Sequence, residues 1–112
     1  RYIIGNYTVQ GKTEKFYLEQ LLNNKSEELP FEKKTYYKSP TGYYHPDFEF
    51  KNKLVEIKSE FTYLVFEGKA KDSNGNYSTK QKEKCLWVAK NIKPIELIVY
   101  NNKNEIILNQ ML

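Results

Sequence analysis

Apolar positions along the chain fall into short blocks whose periods change several times. Tyr2-Ile3-Ile4 and Tyr7-Thr8-Val9 flank Gly5-Asn6, which predicts two short strands about a tight turn. From about Thr13 to Asn23, Tyr17, Leu18, Leu21 and Leu22 recur at helical spacing, and Pro30 closes the polar stretch that follows. Thr35-Tyr36-Tyr37-Lys38 and Tyr43-Tyr44-His45 read as strands about Ser39-Pro40-Thr41-Gly42. Its Ser, Pro and Gly stand where a type I turn favours them. Two further strands, Asp47 to Phe50 and Lys53 to Lys58, follow about Lys51-Asn52. Phe61 to Phe66 has strand composition, and Ser73-Asn74-Gly75-Asn76 is a turn signal. A second helix is expected from Ser78, where Ser78 and Gln81 have capping-box spacing. It turns Cys85, Leu86, Val88 and Ala89 inward and ends before Pro94. Ile95 to Tyr100 and Glu105 to Leu108 complete the pattern as strands. This order predicts an α/β (α+β) domain around a central sheet.

Composition narrows the chemistry. A chain of 112 residues with 39% hydrophobic and 15% aromatic residues suits one domain spanning 1–112, and is too apolar for a disordered tail. An opening Arg1 rather than Met also admits a piece of something longer. No apolar run reaches membrane-spanning length and nothing resembles a signal peptide, so a soluble, intracellular, cytoplasmic protein with no membrane partner is expected. Cys85 is the only cysteine and His45 the only histidine, so one chain cannot assemble a Cys/His zinc site. Any metal here needs oxygen ligands. The net charge of +4 points towards a polyanion. Every basic residue except Arg1 is a lysine, which suits phosphate contact better than the bidentate reading of guanine edges.

The chemistry concentrates between Tyr44 and Lys58. If Asp47–Phe50 and Lys53–Lys58 form a hairpin, Phe48 faces Val55 and Asp47 faces Glu56. Phe48, Phe50, Val55 and Ile57 then make a core face, while Asp47, Glu49, Glu56 and Lys58 share the other face with Leu54. Opposed residues on paired strands have Cβ atoms about 4.5–5.5 Å apart, so facing carboxylates repel unless a cation lies between them. Mg²⁺ favours such oxygens. Lys58, two residues beyond Glu56, can reach a water and a scissile phosphate. There it would orient the water, take its proton if the ammonium pKa is lowered, or stabilise charge on the phosphorus. The competing reading is a surface hairpin with solvated charges.

Pro46-Asp47, followed after eight residues by Glu56-Ile57-Lys58, resembles the PD-(D/E)XK signature of restriction-type, repair and homing nucleases. Val9-Gln10-Gly11, Glu14, the run Tyr43-Tyr44-His45-Pro46-Asp47-Phe48 and the Ser/Thr/Tyr segment after Lys58 are similar to small phage and viral endonucleases of that superfamily. The resemblance implies a restriction-endonuclease-like fold, a central mixed sheet flanked by helices. It also implies Mg²⁺, with Mn²⁺ able to substitute, and hydrolysis of a DNA phosphodiester that leaves a 5′-phosphate. Asp47 and Glu56 would bind the metal, Lys58 would be the catalytic lysine, and Glu14 would join them. A phage or viral protein of this kind would work inside its host cell, and double-strand cleavage would require a homodimer or two visits. The chain departs from the family pattern in one extra residue between Gln10-Gly11 and Glu14, and in a longer connection over Leu64 to Tyr77.

Other residues carry two readings each. Glu14 lies on the stripe of Leu18, Leu21 and Leu22, either as a site carboxylate or as a solvated first-turn Glu. Gln10 either orients water and contacts phosphate or is a structural amide. Glu49 is an outer ligand or stands too near the hairpin tip. His45 either contacts substrate or a water near the metal, or is an ordinary polar neighbour. Lys80 and Lys84, one turn apart, contact DNA phosphate or form a solvated helix face. Beside the endonuclease stands an alternative: a DNA-binding module that keeps the fold and does not cut.

Overall fold

The computed structural model describes residues 1–112. Strands β1 (Tyr2–Ile4) and β2 (Tyr7–Val9) pair antiparallel about Gly5, whose φ of 59° allows the tight reversal. Helix α1 (Lys12–Asn23) follows, then a second hairpin of β3 (Tyr37–Ser39) and β4 (Gly42–Tyr44). The main sheet has the order β5 (Phe48–Glu49), β6 (Leu54–Ser59), β7 (Ile95–Tyr100) and β8 (Ile106–Met111). Its β6–β7 pair is parallel and the two outer pairs are antiparallel. Helices α2 (Glu60–Phe66) and α3 (Lys80–Asn91) lie in the crossover that the parallel pair requires. The chain is therefore an α+β fold with a mixed sheet.

Strand alternation builds two cores, one on each face of this sheet. Val55, Ile57, Ile98 and Tyr100 pack with Phe48 and Phe50 against Tyr17 and Leu18 of α1 and Val9 of β2. Leu54, Ile95, Leu97 and Val99 face the other way, against Phe66 of α2, Cys85 and Val88 of α3, and Tyr44 of β4. Both central strands are covered on both sides, as parallel strands require.

The hairpin pairs Phe48 with Val55 and Glu49 with Leu54 as expected, but the ladder ends at Phe48, so the expected strand pairing of Asp47 with Glu56 is not part of it. Three other expectations are corrected. Residues 61–66 form a helix despite their strand composition. Ser59 accepts from the Thr62 amide and Thr62 Oγ1 accepts from the Ser59 amide, and this capping box starts α2 where β6 ends. Tyr63 and Phe66 then share the inward helical face, while Phe61 is 62% exposed and Leu64 42%. The third helix begins at Lys80 rather than Ser78. No capping box forms there; Ser78 Oγ accepts from the Lys80 amide and Thr79 takes the N-cap position. Leu86 also faces solvent, because the α3 stripe that meets the sheet runs through Cys85 and Val88.

Candidate active site

Pro46 has no amide hydrogen to continue the ladder, and β5 begins only at Phe48. The Asp47 side chain, rather than a further residue of β5, meets the Ile57 N–H of β6. Asp47 Oδ2 accepts from Ile57 N at 2.7 Å, while the Asp47 amide donates to Val55 O at 3.1 Å. This carboxylate thus stands in the gap left by the missing strand residue, at the end of the sheet. Burial, then the charge of Glu56, then that of Glu14, hold its pKa well above the ordinary carboxylate value of 3.8. The Ile57 hydrogen bond and Lys58 oppose this shift and are outweighed.

Glu56 lies deeper, 2% exposed, on the face of β6 that meets α3. Tyr44 Oη donates to one of its oxygens at 2.5 Å and Lys58 Nζ approaches the other at 2.9 Å. Sequence reasoning expected two carboxylates repelling each other across the hairpin. Glu56 does raise the Asp47 pKa in this way, but Glu56 is itself paired with Lys58 two residues on, so the unfavourable charge falls on Asp47. Burial by itself would lower the Lys58 ammonium pKa, but Glu56 and then Asp47 outweigh burial and hold it above its ordinary value. In this arrangement Lys58 is a cation rather than a proton acceptor. Its Nζ also lies 5.3 Å from the centre of the Phe66 ring.

Two adjoining cavities open here. One, of about 220 Å³, is lined by Glu14, Asp47, Lys58 and Thr62, with the first turn of α1 and Ile57 completing its wall. Glu14 is half-buried and its Oε2 accepts from the Gln10 amide at 3.3 Å, so its odd place on the apolar stripe is explained by a cavity it shares with Asp47. The second cavity, about 500 Å³, shares Lys58 and Thr62 with the first. It adds Lys80, Gln81 and Lys84 from α3 and Asp72, Ser73 and Ser78 from the connection before it. The two helix lysines therefore face the same groove as Lys58.

The remaining candidates lie elsewhere. Gln10 is exposed and lines neither cavity; only its backbone amide reaches Glu14. His45 is exposed, its ring 5.7 Å from that of Tyr36. Glu49 belongs to a separate buried network. Lys93 Nζ at 2.7 Å, Tyr37 Oη at 2.7 Å and the Thr35 hydroxyl surround its carboxylate, and its pKa is lowered because these contacts outweigh burial. Tyr44 and Thr62 were not singled out from sequence. Their signals were slight: Tyr44 holds the inward position of an alternating aromatic run, and Thr62 stands three residues beyond a potential Ser cap.

No set of three or more Asp, Glu, His or Cys side chains is arranged as a ready metal cage. Asp47 keeps one oxygen without a protein donor, and Glu14 faces the same cavity. Oxygen-only donors with excess negative charge suit a hard divalent cation. No helix is long and apolar enough to cross a membrane. No protein-family model, curated protein or solved structure matches the chain.

Proposed function

We propose that the chain is a Mg²⁺-dependent DNA endonuclease with a restriction-endonuclease-like fold, of PD-(D/E)XK type. The observation that carries this reading is the concentration of Asp47, Glu14 and Lys58 at one cavity, continuous with a lysine-lined groove. Asp47 and Glu56 would hold Mg²⁺, with Glu14 beside them, and Mn²⁺ has the charge and oxygen preference to replace it. When bound, the ion supplies Lewis acidity towards a phosphoryl oxygen and acidifies water.

The protein's own groups do the rest. Both Glu56 oxygens are already bonded, one by Tyr44 and one by Lys58, and Glu56 lines neither cavity, so ligation by Glu56 requires the Lys58 ammonium to turn away. The groove beside it is where a phosphate would lie, and a cationic Lys58 there offsets charge gathering on the phosphorus. Tyr44 fixes the orientation of Glu56 from beneath, and Asp47 is fixed by the Ile57 amide. Lys80 and Lys84 bind neighbouring phosphates without reading base identity.

The alternative, a DNA-binding module without cleavage, makes use of the same lysines but gives no role to the strained charge at Asp47. Incubation with supercoiled plasmid separates the two readings. Conversion to open-circular DNA in Mg²⁺, abolished by EDTA, is expected. Retarded but uncut plasmid in both conditions selects the binding module.

A further inference from the structure

The β3–β4 hairpin has two unlike faces. Its inner face, with Tyr37 and Tyr44, packs towards α3, and Tyr44 reaches Glu56. Its outer face carries Tyr36, Lys38, Tyr43 and His45, all exposed, with Lys38 directly opposite Tyr43. The Tyr36 ring centre lies 5.3 Å from that of Tyr43 and 5.7 Å from that of His45. Tyr36 is 63% exposed and Tyr43 52% exposed, so these rings bury little of their area in the fold. No carboxylate occurs from Lys33 to His45, whereas Lys33, Lys34 and Lys38 do. It is the opposite, inner face of the hairpin that borders the candidate site. His45 precedes Asp47 by two residues, and a β-carbon built on Gly42 at the hairpin turn would lie 3.5 Å from Lys84 Cε, in the groove wall.

Aromatic rings with flanking lysines and no acidic residues suit one class of ligand: a nucleic-acid strand whose bases are unstacked. Duplex bases are shielded by their neighbours, whereas unpaired bases offer π-faces to aromatic side chains while lysines meet the phosphates. We propose that the outer face of the β3–β4 hairpin, whose inner face borders the candidate site, is a stacking platform for unpaired bases of single-stranded DNA. Its part in substrate choice rests on the nuclease reading; its binding activity does not. A cross-strand aromatic pair can also serve merely to stabilise a hairpin. The inner tyrosines already anchor this one, so the two roles are separable by experiment.

The test is fluorescence anisotropy in EDTA, where no cleavage occurs, using labelled oligo(dT) and an abasic strand of equal length and charge. The parent is expected to bind oligo(dT) at least about tenfold more tightly than the abasic strand. Tyr36→Ser and Tyr43→Ser should each remove about tenfold of that affinity and leave abasic binding unchanged. Tyr43→Leu, which keeps apolar bulk across the hairpin, should show the same loss with an unaltered melting temperature. Equal binding of the two strands by the parent, or undiminished oligo(dT) binding by Tyr43→Leu, would overturn the platform. A parallel Mg²⁺ arm compares plain duplex with duplex bearing a single-stranded branch. If base-dependent binding stands while nothing is cut, the nuclease reading alone fails. If duplex is cut while oligo(dT) and abasic strand bind alike, the platform alone fails.

Discussion

Asp47 and Glu56 are both carboxylates in the candidate site, yet their surroundings give opposite consequences on removal. Asp47 ionises against burial and against Glu56 and Glu14. Because its folded-state pKa is raised, the folded state retains a proton that the unfolded chain releases. Stability therefore falls as pH rises from the ordinary carboxylate range through the raised value. Asp47→Asn keeps an acceptor for the Ile57 amide and removes the charge. In metal-free buffer it should melt above the parent at neutral pH, with the gap closing at acid pH; a lower melting temperature at neutral pH would show the charge to be structurally favourable. Glu56 behaves otherwise, since its removal strands the Lys58 ammonium and the Tyr44 hydroxyl in a buried place. Glu56→Ala should cost about 3 kcal/mol in urea unfolding, and Glu56→Ala with Lys58→Met should cost less than Glu56→Ala alone. A double variant at least as unstable as the single one would mean that the ion pair does not set that loss. Glu49→Ala, which leaves the half-buried Lys93 without its carboxylate, should cost less, about 2 kcal/mol, without altering the groove.

At the scale of elements, the hairpin of β5 and β6 was legible because alternation assigns each side chain to a face. Once Phe48 faces Val55, the faces of Glu56 and Lys58 follow, whereas Asp47 lies just outside β5 and its contact with the Ile57 amide does not. Helix α2 was not legible, because Phe61, Thr62, Tyr63 and Val65 all favour strands, and the deciding signal is a hydroxyl pair at Ser59 and Thr62. The partners of Glu49 and Glu56 were also hidden. Lys93 lies 44 residues from Glu49, and the tyrosine beneath Glu56 comes from a hairpin whose docking no local pattern specifies. The connection from Gly68 to Asn76 borders the groove, where Asp72 and Ser73 line the wall. Asp72 organises it by accepting from the Asn74 and Asn76 amides, with Gly75 at a φ of 78° completing the turn. Replacing residues 68–76 with a short Gly/Ser linker should leave Mg²⁺ binding by calorimetry intact while changing cleavage efficiency among linear, supercoiled and branched DNA. An identical profile on all three would assign the loop no part in substrate choice.

For the whole molecule, the excess of lysine is more than a bulk property, because Lys58, Lys80 and Lys84 open on one groove beside the carboxylate cavity. Phosphate contact of this kind releases counterions irrespective of base order, so two unrelated duplexes should bind with similar affinity and similar salt slopes. A strong preference for one duplex would mean that base edges are being read. The central claim, that a metal-assisted cut is made at Asp47, is tested most directly by single-turnover nicking of supercoiled plasmid in saturating Mg²⁺, with parent and Asp47→Asn side by side. The account predicts a parent that nicks and a folded variant slower by at least about a hundredfold that still retards the plasmid. Equal nicking rates for the two proteins would contradict it.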